Sequence, residues 1–181
     1  MKYVALLRGI NVGGNKLMKM ADLRDCLEGR DFTHVTTYIQ SGNVLFESNR
    51  SDVAKLTTLM EKALSATFHH EVPVFLRSQS QMQKIVTQAP KEWRTGKGLR
   101  QNVAFLRAPL TAKSALAELD PKPDVDSIKA GDGVVYMSTL ISRLGQSRFP
   151  KIVGTPMYAN LTIRSYGTCR KILDLMEADR L

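Results

Sequence analysis

Apolar and polar positions divide the chain into short strands and amphipathic helices. Strands are predicted where β-branched and aromatic residues concentrate, and helices where apolar residues recur every three or four positions. Met20, Leu23 and Leu27 show the helical spacing. The first half contains, in order, strand Tyr3–Arg8, helix Met20–Glu28, strand Thr33–Gln40, strand Asn43–Glu47, a helix capped by Ser51, and strand Val72–Arg77.

This order is β-α-β-β-α-β, which is typical of the split-βαβ or ferredoxin-like arrangement. Between the second and third strands, the pair Ser41-Gly42 favours a hairpin turn. We therefore predict that residues 1–78 form one ferredoxin-like lobe.

The second half repeats the order of elements, although not the residues. Ser78 would cap its first helix, and the Pro and Gly residues of the segment Ala89–Arg100 indicate a linker or a mobile flap. After that segment come strand Asn102–Leu106, helix Thr111–Glu118, strands Val125–Lys129 and Val134–Met137, a helical or irregular stretch, and helix Tyr166–Met176. We predict an α+β fold of two ferredoxin-like lobes, 1–78 and 79–181, with mostly antiparallel sheets.

The composition is that of a globular protein, with 43% hydrophobic and 24% charged residues. The first apolar run is too short for a signal peptide, and no run has the length that a membrane span needs. Cys26 and Cys169 each occur singly within a helical pattern. This is typical of small buried thiols in a reducing compartment. We therefore expect a cytoplasmic protein that does not associate with membranes.

Positive charge is concentrated in the second half. The formal net charge is +9, and the first 78 residues carry 10 Lys and Arg against 8 Asp and Glu, whereas the remainder carries 16 against 9. This balance favours an anionic partner such as nucleic acid or a phosphorylated metabolite, and a solvated basic face is the alternative. One cationic run, interrupted by the single acid Glu92, contains Lys84, Lys91, Arg94, Lys97, Arg100 and Arg107.

Four motifs resemble those of a widespread bacterial family of small proteins that is classed only as a domain of unknown function. They are YVALLRGINVGGNK, YIQSGNVLFES, NVAFL and TIRSYGTCRKILDLMEA, and together they cover most of the chain. The last one departs from the family pattern, because Ser165 stands where the family usually has Asn. The resemblance implies a two-lobed ferredoxin-like fold and no established activity.

The loop RGINVGGNK, residues 8–16, is the first candidate site. Glycine permits positive φ, and successive backbone N–H groups before a helix can bind an anion. The spacing is neither that of a Walker loop nor that of a dinucleotide fingerprint, and a simple strand-to-helix turn is the alternative. The candidate ligand-binding residues in this loop are Arg8, Asn11, Gly13, Gly14 and Lys16.

Two further motifs carry hydrogen-bonding groups. Gln40, Ser41 and Asn43 in YIQSGNV suit a polar ligand, or simply a tight turn. In the ferredoxin-like topology this turn and the glycine loop can lie at opposite ends of the sheet, so they need not share a site. Arg164, before the last helix, could bind a phosphate or carboxylate, or could tie that helix to its lobe.

Trp93 stands among cations in the Ala89–Arg100 segment. An aromatic side chain surrounded by positive charge suits single-stranded nucleic acid, and anchoring of the loop in the core is the alternative. The candidate nucleic-acid-binding residues are Lys91, Trp93, Arg94, Lys97 and Arg100.

The sequence contains no recognisable catalytic constellation. It has no Cys and His spacing for zinc, no nucleophile elbow and no carboxylate pair beside the glycine loop, so we expect neither metal nor cofactor, and whether the protein is an enzyme stays open. The leading hypothesis is a binder of an anionic ligand such as single-stranded nucleic acid. The alternatives are an enzyme or sensor for a small phosphorylated metabolite, and a homodimerising interaction module.

Overall fold

A computed structural model of the chain describes residues 1–11, 17–29, 31–95 and 97–178. Within these ranges the chain forms two four-stranded antiparallel sheets. The strands are β1 Lys2–Leu7, β2 Thr33–Tyr38, β3 Asn43–Glu47, β4 Val74–Ser78, β5 Leu99–Leu106, β6 Asp126–Gly131, β7 Val134–Leu140 and β8 Leu161–Ser165. This architecture confirms the predicted α+β fold of two ferredoxin-like lobes.

Five α-helices and four 3₁₀ helices accompany the strands in the described residues. The α-helices are α1 Met20–Leu27, α2 Val53–Phe68, α3 Gln79–Thr87, α4 Ala112–Glu118 and α5 Tyr166–Glu177. The 3₁₀ helices are Lys91–Arg94, Ile141–Gln146, Phe149–Ile152 and Pro156–Asn160. None of the described helices is both long enough and apolar enough to cross a membrane.

The starts of α2 and α3 follow local capping chemistry. The Oδ1 atom of Asp52 accepts a hydrogen bond from the backbone N–H of Lys55 at 2.9 Å, so Asp52 caps α2 in place of the predicted Ser51. Ser78 caps α3 as predicted, because its Oγ atom accepts from the Gln81 N–H at 3.3 Å while the Gln81 side chain accepts from the Ser78 N–H.

The chain divides into two compact units. The first unit comprises Met1–Met82 and the C-terminal segment from Ile172 onward, and the second comprises Gln83–Lys171. Both changes of unit fall inside helices, the first within α3 and the second within α5. The sequence-based division at 78/79 lies at the start of α3, whereas the second half of α5 groups with the first unit.

The core of the first unit lies between one face of its sheet and the two helices that follow β1 and β3. Alternate residues of β1, such as Ala5 and Leu7, are buried on that face together with Leu23 of α1 and Leu56 and Met60 of α2. The corresponding face of the second sheet packs Ala104, Leu106, Val135, Met137 and Leu161 with Ala115 of α4 and the 3₁₀ helices.

The two sheets repeat residues as well as elements. The first sheet has the order β2-β3-β1-β4 and the second β6-β7-β5-β8. Val4 pairs with Arg77 and Val103 pairs with Arg164, which aligns VALLR, the end of β1 and the residue after it, with VAFLR, the end of β5 and the residue after it. Each arginine donates from Nη1 to the preceding carbonyl oxygen, at 2.8 Å in Arg77 and 3.0 Å in Arg164. The expectation that only the element order repeats is therefore corrected.

The irregular stretch predicted after Ser138 also needs correction. Strand β7 continues to Leu140, and β8 occupies Leu161–Ser165 immediately before α5. The Ala89–Arg100 segment contains a 3₁₀ helix at Lys91–Arg94 and the first residues of β5.

Candidate functional site

The loop after β1 and the turn between β2 and β3 lie together at one end of the first sheet. Leu6 pairs with Asn43, so the end of β1 adjoins the beginning of β3. The backbone N–H of Leu7 donates to the carbonyl oxygen of Gly42 at 2.7 Å. A Cβ atom at Gly42 would lie 2.7 Å from Cδ1 of Ile10, so the loop and the turn are in close contact. The two candidate motifs therefore meet, although the topology alone left them free to lie apart.

Asn11 connects these two segments through its side-chain amide. Its Nδ2 atom donates to the carbonyl oxygens of Met18 at 3.1 Å and Gln40 at 3.0 Å. Its Oδ1 atom accepts from the Met18 N–H at 2.7 Å. Asn11 has a φ of +53° and Ile39 has a φ of +51°, so both are in the left-handed conformation. This conformation is rare for a β-branched residue such as Ile39.

The other candidate residues of the first unit are partly structural. Asn43 is fully buried, and its amide donates to the Tyr38 carbonyl oxygen and to Oγ of Ser41. Arg8 is half-buried, and its backbone N–H donates to the Pro73 carbonyl oxygen at 3.0 Å. The side chains of Gln40 and Ser41 are exposed beside them. Three candidates, Gly13, Gly14 and Lys16, lie outside the described residues.

Arg164 belongs to the second unit, on the buried side of β8. Its Nη1 atom donates to Oγ1 of Thr162 and to the carbonyl oxygen of Ile163, both at 3.0 Å. Burial lowers the pKa of Arg164 to about 10, with a smaller opposing effect from Cys169. These bonds fix the guanidinium against its own strand.

A group of exposed cations lies along the 3₁₀ helix Lys91–Arg94 of the second unit, the loop after it and the start of β5. Within the part of the chain that the structure describes, none of their side chains forms a hydrogen bond or an ion pair. The members of this group are Lys91, Arg94, Lys97 and Arg100.

Trp93 points into the second unit and not toward solvent. It is only 4% exposed, and its ring packs edge-on against the rings of Tyr136 and Tyr166. The distances between ring centroids are 5.7 Å to Tyr136 and 5.1 Å to Tyr166. The Tyr136 hydroxyl donates to the Ile85 carbonyl oxygen at 2.8 Å. Trp93 therefore anchors the cationic segment, and its ring is not presented on the outer surface of that segment.

A cavity of about 420 Å³ opens beside this anchored segment. Its apolar walls include Trp93, Leu99 and Tyr136. Its polar lining comes from Glu92 and from side chains of β6 and β7 that project on the same face, Ser127, Lys129 and Ser138. The volume lies within the range of about 300–1,000 Å³ that is usual for small-ligand pockets.

The sequence indicated the cations near this cavity but not its polar lining. Ser127 is paired with Ser138, and Lys129 with Tyr136, on adjacent strands, so the four positions form a compact rectangle on one face. The sequence signal that could have found this lining is the alternation of side chains along β6 and β7, which places every second residue on the same face. Because Leu99 lines the cavity, alternation along β5 directs Arg100 to the opposite face of the sheet.

Comparison with known proteins identifies relatives without a described activity. A family model described as "Protein of unknown function (DUF1697)" matches residues 1–136. The solved structure of the conserved bacterial protein SP0830 from Streptococcus pneumoniae is similar, with a TM-score of 0.84 and 25% sequence identity over 97% of this chain and 98% of that chain. No curated protein matches.

Proposed function

The chain belongs to the DUF1697 family of proteins of unknown function, and we propose that it binds single-stranded nucleic acid through the cationic segment of its second unit. The observation that supports this proposal is a group of exposed cations beside a cavity, whose side chains have no hydrogen-bond or ion-pair partner among the described residues. Phosphate contacts made by such side chains supply most of the affinity of sequence-independent nucleic-acid binding.

The arrangement of the cations favours an extended polyanion over a single phosphate. Lys91 and Arg94 are three residues apart in a 3₁₀ helix, which has about three residues per turn, so they project on one side. Lys97 follows in the loop, and Lys129 lines the adjacent cavity. A strand with regularly spaced phosphates can contact Lys91, Arg94 and Lys97 together and still reach the cavity, whereas one phosphate can contact only some of these groups.

The geometry favours a single strand over a duplex. A major groove is read by an α-helix or a two-stranded ribbon, and this segment offers a four-residue 3₁₀ helix and a loop. Of the two interpretations of Trp93, the burial of its ring supports anchoring of the segment in the core, and the cations would then make the contacts to the strand.

Salt-dependent binding tests this proposal. Fluorescence anisotropy would follow single-stranded RNA, single-stranded DNA and duplex at salt concentrations from about 50 to about 200 mM. The triple variant K91Q/R94Q/K97Q should flatten the slope of log affinity against log salt by about 2 for a single strand, because each lost phosphate contact contributes about 0.7.

A charge-matched control is available in the same chain. The triple variant K55Q/K62Q/K113Q removes the same charge from exposed positions on α2 and α4 and should leave the slope close to that of the wild type. Equal slopes for the two triple variants, or no binding to any single strand at about 50 mM salt, would refute the proposal.

A second candidate function rests on the contact between the glycine loop and the β2–β3 turn. Their meeting at Gly42 and Asn11 places the exposed Gln40 and Ser41 beside the loop, so one small phosphorylated ligand could reach both segments. A thermal-shift screen with nucleotides and sugar phosphates tests it, because a ligand that binds only the folded state raises the melting temperature. No shift at millimolar ligand would remove this candidate.

A further inference from the structure

We infer that the cavity of the second unit accepts one guanine base of the bound strand. This inference rests on the proposed function, because the base would be delivered by a strand held on Lys91, Arg94 and Lys97. It adds a base preference to a surface that otherwise recognises only phosphates.

Four polar side chains line the cavity. Within the described residues, the side chains of Glu92, Ser127, Lys129 and Ser138 make no hydrogen bond and no ion pair. Ser138 is only 7% exposed, so its hydroxyl has little access to water except through the cavity. Glu92, Ser127 and Lys129 are exposed, so their polar atoms are accessible to a ligand in the cavity. A few polar groups that converge on a cavity with apolar walls are typical of a ligand site.

The chemistry of these groups is complementary to guanine. A carboxylate only accepts hydrogen bonds, and guanine presents two adjacent donors, N1–H and the N2 amino group, on its Watson–Crick edge. A lysine ammonium only donates, and O6 and N7 of guanine are acceptors for lysine. Glu92 and Lys129 thus match the two kinds of group on one base, and the hydroxyls of Ser127 and Ser138 can donate or accept.

Other bases satisfy this lining less well. Adenine offers one amino donor and no oxygen acceptor, and uracil offers one N–H donor between two carbonyl oxygens that would face the Glu92 carboxylate. The apolar walls formed by Leu99, Trp93 and Tyr136 suit a flat heterocycle, whereas a sugar or a free phosphate would leave them uncovered.

The test uses oligonucleotides that differ at a single base. The full chain is titrated with uridine nonamers that carry guanine, inosine, adenine or uracil at the central position, at constant salt. Guanine should bind roughly tenfold more tightly than uracil, because a bidentate base contact discriminates by about that factor. Inosine, which lacks the 2-amino group, should lose part of this preference.

Variants assign the preference to the cavity. E92Q should abolish the guanine preference because an amide presents N–H groups to the donors of guanine, while its salt slope stays that of the wild type. E118Q is the matched control, since it removes the same charge from an exposed position in the same unit and should keep the preference. Trp93, the one tryptophan of the sequence, lines the cavity, so its fluorescence should change with guanosine monophosphate and not with uridine monophosphate.

The outcomes separate this inference from the proposed function. Strand binding with a steep salt slope but equal affinity for all four nonamers would overturn the guanine site and leave nucleic-acid binding intact. A guanine preference that E92Q retains would also overturn it, because the preference would then arise elsewhere. If no nonamer binds, the proposed function fails, and the inference fails with it.

Discussion

The side-chain amide of Asn11 donates a hydrogen bond to the carbonyl oxygen of Gln40, with 3.0 Å between Nδ2 and O. This bond links the loop after β1 to the turn before β3, and the same amide is bonded to both backbone polar atoms of Met18. One side chain therefore holds three backbone groups in place beside the glycine loop.

We expect Asn11→Ala to destabilise the protein by roughly 1–3 kcal/mol, because it removes these hydrogen bonds and places alanine in a left-handed conformation. Urea denaturation measures the loss. Asn11→Gly separates the two causes, since glycine accepts a φ of +53° without strain. An Asn11→Gly variant as stable as the wild type would show that the amide contributes nothing.

The close contact at Gly42 gives a paired prediction with Gly9. Both residues have positive φ, +77° at Gly42 and +70° at Gly9, but a Cβ atom at Gly42 meets Ile10 and Leu7 whereas one at Gly9 meets nothing within 4 Å. Gly9→Ala should cost only the conformational strain, about 1–2 kcal/mol. Gly42→Ala should cost about 1–3 kcal/mol more, because Cβ overpacks the contact between loop and turn. Equal denaturation midpoints would contradict this close contact.

Asp126 is expected to make stability depend on pH in the acid range. Burial raises the pKa of this carboxyl, but hydrogen bonds from the Arg148 and Lys122 N–H groups and from the Ser147 and Thr139 hydroxyls outweigh burial, so the pKa lies below its usual value of 3.8. Because the folded-state pKa is the lower one, the stabilisation is present above about pH 4 and is lost as the pH falls through the folded-state pKa.

The variant Asp126→Ala should therefore be about 3 kcal/mol less stable near neutral pH, since it leaves several donors without an acceptor. The difference from the wild type should narrow below about pH 4 in urea titrations at a series of pH values. Asp174→Ala, at an exposed position on α5, is the control and should show no such narrowing. A constant difference across the acid range would argue against a role for the ionised carboxyl.

Two tyrosines near Trp93 allow a comparison of buried hydrogen bonds. Tyr136→Phe removes a 2.8 Å bond to the Ile85 carbonyl oxygen, and Tyr166→Phe removes a 3.1 Å bond to that of Val86. The bond of Tyr136 is fully buried and that of Tyr166 only partly, so we expect losses of about 2 and about 1 kcal/mol, respectively. Thermal denaturation measures both, and the reverse order would show that burial does not decide the cost.

The pKa of Tyr136 provides an independent measurement. Burial, with smaller contributions from Tyr166, Cys169 and Asp132, raises the pKa to about 12. Since the folded-state pKa is the higher one, the contribution to stability is complete below pH 10 and is lost as the pH rises toward 12. The difference between the absorbance titrations of the wild type and of Tyr136→Phe should correspond to one phenol that ionises only as the pH approaches 12.

Local patterns predicted most elements well, and the main failure has a clear physical cause. Strand Asn43–Glu47 was predicted with its true bounds because Ser41-Gly42 marks the turn before it. Strand β8 was missed because its core-facing side has only two apolar residues, Leu161 and Ile163, and these alternate with the buried Thr162 and Arg164, which are joined by a 3.0 Å hydrogen bond. Two apolar positions in a five-residue strand are too few for the alternation to be recognised.

The candidate site was harder to predict because it depends on contacts that are distant in sequence. Whether Trp93 stacks on a ligand or packs inside is decided by Tyr136 and Tyr166, which lie in other elements. The cations of the cationic segment could be predicted from composition alone, because the exposure of a charged side chain does not depend on contacts with distant residues. The cavity lining was not, because it requires the pairing of Ser127 with Ser138 across β6 and β7.

The first compact unit is made from two stretches of chain, Met1–Met82 and the segment from Ile172 onward, which are separated in sequence by the whole of the second unit. A lobe built from continuous chain can fold as it emerges from the ribosome. In this unit the amino-terminal stretch emerges well before the stretch that completes it has been translated. Ile172, Leu173 and Met176 are buried in the finished protein. A stop codon before Ile172 would therefore damage the lobe that was synthesised first, and the two lobes cannot be separated into independent fragments by a single cut.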